Sequence, residues 1–349
     1  MTGKLDPEGL ADFLGAVGAD DPSVIQGAAY GEDAAAIDLG DRTLVVSADP
    51  ISLAAERAGQ LGIHVACNDV AVSGADPRWV TSTVFLPDED PDTRRTLATQ
   101  LDETASDLGV AIVGGHTEYL PAIDRPLLSM TAMGTTDRFL PSGGARPGDR
   151  LVLTTGAGIE ATAILASDFA EECRAAGVEE ATLEAARSFF DDVSVVPEAA
   201  AIREFATAMH DPTEGGLLTA LHEMANAAGV RAEIHRADVP IRPETRACCA
   251  AVDVDPLRTF GSGALLAAVP SNRTAEAIEA VESLGIAAAT IGEILPTDGG
   301  SGDHGGTDAG GSGDQGGADA GGSVVLDGTP IPEPPRDDMY ALWEAADGE

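Results

Sequence analysis

Lysine is almost absent from this chain of 349 residues: Lys4 is the only one, and every other cationic side chain besides histidine is arginine. Basic residues number 20 against 59 acidic ones, a formal net charge of −39. Such a deficit excludes nucleic acid and anionic membrane surfaces as the main partners. It also excludes a Walker-type Gly-x-x-x-x-Gly-Lys-[Ser/Thr] loop, and no dinucleotide fingerprint follows a first strand. There is no charged-then-apolar leader and no apolar run approaching ~18 residues, so a soluble, cytoplasmic protein is expected. Cysteine is scarce too. Cys67, Cys173, Cys248 and Cys249 lack zinc-ligand spacing, and adjacent Cys248 and Cys249 cannot pair comfortably with each other. Buried free thiols are therefore expected. What is present is a hydrophobic content of 44%, enough at this length for two domains with cores of their own. Acidity spread along a folded chain that has discarded lysine reads as adaptation to a high-salt cytoplasm, where salt screens self-repulsion, and points to a halophile.

Apolar periodicity gives an alternation of strands and helices. Strands are expected at Thr43–Asp49, Arg78–Leu86, Val110–Val113 and Leu127–Thr136, with helices at Ala54–Ser73 and Asp92–Leu108 between them. The turn cluster Ala145–Arg150 precedes a fresh strand, Leu151–Thr154, and is the best boundary in the chain, dividing it into domains at 1–147 and 148–349. The second half restarts the alternation. Helices are expected near 159–176, 179–190, 197–206, 216–228 and 274–283, with strands near 231–234, 264–269 and 287–291. A Gly/Asp/Ser/Ala/Thr stretch at 297–323 cannot bury a core and is expected to be a flexible acidic insertion. It interrupts what looks like a hairpin between Ile291–Ile294 and Val324–Gly328. A short amphipathic helix, Arg336–Trp343, closes the fold.

The stretch that draws attention is Met209-His210-Asp211-Pro212-Thr213-Glu214-Gly215-Gly216, an acidic turn running into the amphipathic segment 217–228. Gly215 and Gly216 permit positive φ or close approach to a ligand, and the following helix would aim free N–H groups back at the turn, which suits an anion. Asp211 and Glu214 sit where an anion would lie, and a bridging Mg²⁺ would reconcile the two. The plainer alternative is an acid-capped helix start.

Other acids fall at strand ends and helix starts. In order, the series is Gly31-Glu32-Asp33-Ala34-Ala35, Ser47-Ala48-Asp49-Pro50, Asn68-Asp69-Val70-Ala71, Gly114-Gly115-His116-Thr117-Glu118, Arg146-Pro147-Gly148-Asp149, and the Asp211–Gly216 turn. With one lysine available, phosphate charge would have to be met by metal held on carboxylates and by backbone N–H groups. The whole ordered series resembles the PurM-like ATP-binding superfamily, which includes aminoimidazole ribonucleotide (AIR) synthase, HypE, thiamine-monophosphate kinase and selenophosphate synthetase. Gly3-Lys4-Leu5, the Gly-Gly-His-Thr-Glu block and the Asp-Pro-Thr-Glu-Gly-Gly block look most like HypE and the archaeal AIR synthase-related proteins.

The resemblance implies an α/β (α+β) subunit of two domains, an N-terminal one for dimerisation and ATP binding and a C-terminal α/β one, and a homodimer with ATP in a cleft at its interface. It implies metal ligation by Asp33, Asp49, Asp69 and Asp211, with Lys4, Asn68, Gly114, Gly115, Thr117, Gly215 and Gly216 contacting the nucleotide alongside Asp33, Asp49 and Asp69. His116 and Asp211 are the implied catalytic residues. The implied chemistry is phosphorylation by Mg²⁺-ATP of an amide- or carboxylate-type oxygen, which then leaves. Two departures stand out. HypE ends in a cysteine that carries a carbamoyl group, whereas this sequence ends Ala345-Ala346-Asp347-Gly348-Glu349; self-carbamoylation at the tail is not expected. His116 stands where many relatives have aspartate, and could bind phosphate, act as acid/base or mark a changed substrate. Cys67 could be a thiol near the metal or a small buried helix residue. Two alternatives to the activating enzyme remain: a kinase of the thiamine-monophosphate type, and a non-catalytic ATP-binding partner.

Overall fold

The computed structural model describes residues 3–5, 7–15, 18–52, 57–297 and 321–346. Most of the acidic insertion, 298–320 with His304 in it, and the tail residues 347–349 lie outside the described residues, as do 54–56 of the expected first long helix.

The N-terminal half begins with helix α1 (Pro7–Leu14) and builds one sheet from strands β1 (Val24–Gln26), β2 (Ala35–Asp38), β3 (Thr43–Ile51), β4 (Asp76–Leu86), β5 (Ala111–Tyr119) and β6 (Leu127–Thr136). Their order is β1-β2-β3-β6-β4-β5, antiparallel except for the β4–β5 pair. Helices α2 (Ala58–Val72) and α3 (Pro91–Asp107) cover one face. Alternation on β6 shows why: Leu128, Met130 and Ala132 are fully buried, whereas Ser129 between them is exposed. Asp90 caps α3, accepting from the Asp92 and Thr93 N–H groups. At the far edge, all nine residues of β5 are exposed.

The C-terminal half has the strands β7 (Asp149–Thr154), β8 (Ala208–His210), β9 (Arg231–Ile234), β10 (Leu266–Pro270), β11 (Ala288–Leu295), β12 (Ser323–Leu326) and β13 (Thr329–Ile331). Its helices are α4 (Ile159–Asp168), α5 (Ala170–Ala175), α6 (Glu180–Arg187), α7 (Val196–Ile202), α8 (Gly216–Ala228), α9 (Pro243–Ala251), α10 (Thr274–Glu282) and α11 (Met339–Ala346). The sheet runs β13-β12-β9-β11-β7-β10-β8, with α8 packed on one face and α7 and α10 on the other.

Two expectations fail here. Gly114–Glu118 is not a loop after a short strand. It continues β5, because the whole run pairs in parallel with Thr81–Phe85 of β4. Nor do β11 and β12 form a hairpin. Both pair with β9, from opposite sides, and β12 makes its tight turn with β13 instead. The local alternation was legible in both segments; the partner of each was a non-local choice.

The halves are pinned by polar bridges. The Asn68 carboxamide on α2, fully buried, donates to the Val193 carbonyl at 3.0 Å and accepts from the Val195 N–H at 2.9 Å. Both ends of this side chain therefore bond the C-terminal half. Within the N-terminal half, Glu32 accepts from the Ser142 and Gly143 N–H groups at 3.0 and 3.1 Å and so anchors the connection between the sheets. Asn68→Ala is expected to cost about 2–4 kcal/mol of stability, since a buried N–H and C=O are both left unpaired. Chemical denaturation measures this; an unchanged midpoint with lost ATP affinity would return Asn68 to a ligand-binding role.

Candidate active site

A cleft of about 350 Å³ lies between the two halves, floored by acids of both. Asp33 precedes β2, Asp49 lies on β3 and Asp69 on α2, whereas Asp211 follows directly on β8, whose His210 pairs with Leu266. The fold thereby converges carboxylates from four separate segments. Oxygens of Asp33, Asp69 and Asp211 all lie within 4.8 Å of one another. Asp211 is 1% exposed, and among the described residues neither of its oxygens has a hydrogen-bond partner. Burial first, then repulsion from Asp33, pushes its carboxyl up to about 7. Asp69 is raised well above the usual carboxylate range, by burial and then by Asp49 and Asp211. The Ser47 hydroxyl lies 2.5 Å from Asp69 Oδ2 and 3.0 Å from Asp49 Oδ2. Its single proton can serve only one of them, so Asp49 is tied to the same crowded cluster. A buried carboxylate with two orphan oxygens beside two others is a donor set that fits a hard divalent cation.

Positive charge comes from two side chains. His210 Nδ1 is 2.7 Å from Asp33 Oδ2 and Nε2 is 2.9 Å from Glu223 Oε2. Both partners are acceptors, so both ring nitrogens donate and the ring is an imidazolium. Burial opposes that charge, but Asp33 and Glu223 outweigh it and hold the histidine well above its ordinary value. Burial likewise opposes ionisation of Glu223, and the nearby Lys4 and His210 overcome it, bringing the carboxyl down to about 2. Lys4 Nζ completes the chain at 3.4 Å from Glu223 Oε1 and 3.3 Å from Thr213 Oγ1. With half of its side chain exposed, the lysine still reaches solvent and the cleft. Asp33–His210–Glu223–Lys4 is thus a continuous alternation of charge.

The turn after Asp211 serves the architecture more than an anion. Gly216 takes φ 63, and a Cβ there would come within 2.5 Å of the Thr259 carbonyl. The Gly215 N–H donates to Asp337 at 2.8 Å and the Gly216 N–H to the Thr213 carbonyl at 3.0 Å. The N–H groups expected to face a phosphate are therefore already satisfied. Glu214 also lines the cleft and accepts from the Lys4 backbone N–H at 2.8 Å. Asp337 also accepts from Met339 N–H at the start of α11, so this helix holds the turn in place.

Gly114, Gly115, His116 and Thr117 are not part of this cleft. They lie on exposed β5, where His116 Nε2 sits 3.1 Å from Glu118 Oε2. Gly115 is required by packing, since a Cβ would collide with the Ser82 carbonyl of β4. Cys67 is a fully buried helix residue whose thiol burial pushes up to about 12, so it offers no reactive thiolate.

Sequence reasoning passed over His210 and Glu223. The signal was available: a histidine next to the singled-out aspartate, and a glutamate inside an apolar helix. It also missed the apolar end of the cleft, where Leu61 and Ile164 meet the rings of Phe260, Tyr340 and Trp343, with centroids 5.9–6.0 Å apart. Glu160, raised by burial, and Ser262 lie at that end. No helix among the described residues is long and apolar enough to cross a membrane.

Two family models match the chain: the AIR synthase related protein N-terminal domain over residues 31–136, and its C-terminal domain over 146–305. The carbamoyl dehydratase HypE of Escherichia coli (strain K12) is 30% identical over 288 residues, covering 77% of this chain and 82% of the relative. Among solved structures, a hydrogenase maturation protein HypE in complex with ATP superposes with TM-score 0.65 at 25% identity, over 88% of this chain and 87% of that one. AaThiL complexed with AMPPCP and TMP superposes with TM-score 0.71 over 96% and 98% of the two chains, a likeness of fold alone at 19% identity. With its two sheets, its acidic cleft and both matched domains, the chain belongs to the AIR synthase related family, with the PurM-like fold.

Proposed function

We propose that this protein is a Mg²⁺-ATP-dependent enzyme of the HypE type, which phosphorylates and so activates an amide- or carboxylate-type oxygen of its substrate. The single observation that carries this reading is Asp211, buried with both oxygens unpartnered beside Asp33 and Asp69. ATP in a HypE structure of the same fold supports the nucleotide. Asp33, Asp69 and Asp211, with Asp49 beside them, would hold the ion. Bound there, Mg²⁺ would supply positive charge against the phosphates and stabilise the charge that develops during transfer.

The chain's own residues supply the remainder. His210 and Lys4 place two positive charges at the edge of the acidic floor, where a polyphosphate would otherwise meet only carboxylates. Each His210 ring nitrogen donates its own proton, Nδ1 to Asp33 and Nε2 to Glu223, which keeps the ring fixed and charged. The aromatic end of the cleft excludes water from the acceptor and orients it towards the acids. A small-molecule kinase, in which the phosphoryl group stays on the product, is the second reading, favoured by that same enclosed apolar end.

Two copies pairing through the N-terminal sheet would cover β5, with its exposed Ile112, Val113 and Tyr119. Such a homodimer would give the His116 segment a partner. The domain division at 147/148 and a high-salt cytoplasm as the working environment belong to the same proposal.

Asp69→Asn is expected to lower Mg²⁺-dependent ATP affinity by on the order of tenfold to a hundredfold, while the oligomeric state stays that of the wild type. Calorimetric titration with matched light scattering checks it; unchanged affinity contradicts the metal role. Release of inorganic phosphate during turnover supports activation of an oxygen that leaves, and phosphate retained on product supports the kinase. A pH dependence follows as well. Because the folded Asp211 carboxyl is raised from 3.8 to about 7, the cation-free protein loses stability as pH rises through that window. The thermal stabilisation by Mg²⁺ should therefore grow between pH 5.5 and 8. Asp211→Asn should raise the cation-free midpoint at pH 8 and abolish the Mg²⁺ increment; an increment that survives would place the ion elsewhere.

A further inference from the structure

A second cavity, of about 780 Å³, lies within the C-terminal half and shares no lining residue with the cleft. It opens where β7 ends. There the chain is drawn tightly between two neighbouring segments: the Thr155 N–H donates to the Ala287 carbonyl at 2.7 Å, and the Ala157 N–H to the Pro240 carbonyl at 3.0 Å. Thr155 takes φ 58, a left-handed conformation that a β-branched residue adopts only at a cost of about 1–3 kcal/mol and only where its surroundings impose it.

Glu198 of α7 lines the same cavity and is 1% exposed. Its Oε1 accepts from the Thr154 hydroxyl at 3.3 Å; that hydroxyl in turn accepts from the Leu265 N–H at 3.0 Å, so its own proton is free for Glu198. Among the described residues its Oε2 has no hydrogen-bond partner within ordinary geometry. No described cationic side chain is hydrogen-bonded to it, and burial pushes the carboxyl up to about 7 although the neighbouring Thr154 and Thr155 side chains favour its ionised form. A buried carboxyl oxygen left without a partner is costly, and its retention calls for an explanation.

The walls carry Asp191, Asp192 and Asp238 against Arg242 and Arg246. Arg242 is committed, its guanidinium 2.6 Å from Asp192 and stacked 4.5 Å from the Phe189 ring centroid. The field over the cavity is therefore negative, which disfavours an anion. A divalent metal is disfavoured as well, because it asks for several carboxylates around one point. Among the described residues that condition is met at Asp33, Asp69 and Asp211, not here. The volume is far larger than an ion needs and falls within the roughly 300–1,000 Å³ of small-molecule sites.

We propose that this cavity is a second binding site, for a small organic amine whose ammonium group donates an N–H to Glu198 Oε2. The orphan oxygen selects a cation that still carries N–H, rather than a quaternary one of equal charge. The site stands apart from the acidic cleft, and its failure would leave the ATP-dependent reading untouched.

The test compares n-propylammonium with tetramethylammonium chloride, titrated into the full chain at pH 8 and constant ionic strength, with the thermal midpoint as readout. Propylammonium should raise the midpoint saturably, by at least about 2 °C more than tetramethylammonium does. Glu198→Gln should lose that difference while keeping wild-type Mg²⁺-ATP affinity, which also certifies its fold. Ala287→Phe, which narrows the cavity from an exposed position, should lose the difference too and covers the case in which the glutamine variant does not fold. Equal shifts with the two cations in the wild type would overturn the proposal. A difference that persists in either variant would do the same.

Discussion

Mutual repulsion among Asp33, Asp69 and Asp211 is the constraint on which the rest of this structure turns. Three carboxylates brought within one ion's width, one of them without a hydrogen bond, cannot all be ionised without a counter-charge. The molecule supplies part of it through the His210 imidazolium and, further out, Lys4. On the proposed reading, the remainder is left for a cation. In a chain with one lysine, this would be a coherent way to receive a polyphosphate, its charge met by metal on acids rather than by a row of basic side chains.

Holding such a cluster together requires rigidity from both halves, because no single element carries more than one of its acids. Asn68 adjoins Asp69 and bonds the backbone at Val193 and Val195, so the helix that carries a cluster acid is locked to the opposite half. Within the C-terminal half, Asp337 holds the turn beyond Asp211 by accepting from Gly215. Asn68 and Gly215, both expected at the nucleotide, thus also carry hydrogen bonds that hold the site together.

The element pattern was readable wherever apolar periodicity was long, and Leu127–Thr136 and Gly216–Ala228 carry their observed limits in the sequence. Strand partners were not readable, because pairing is chosen by three-dimensional neighbours: β9 sits between β11 and β12, and nothing in the local sequence says so. Order and context singled out the acids that the fold brings together, and the same reading placed Gly215, Gly216 and Asn68 at the ligand. Their hydrogen bonds to Asp337, Thr213 and Val193 depend on long-range contacts that a one-dimensional pattern does not hold. His210 and Glu223 escaped because an amphipathic helix with an acid in it looks solvated until its packing is known. The aromatic wall escaped because its members come from residue 260 and from the last helix.

The central claim is a divalent ion held by acids of both halves. Crystals grown with Mn²⁺ and a non-hydrolysable ATP analogue would show it directly in an anomalous difference map. The account predicts a peak within coordination distance of Asp33, Asp69 and Asp211 together, bridged to phosphate oxygens. A nucleotide bound with no peak there, or a peak coordinated by only one half, would contradict it.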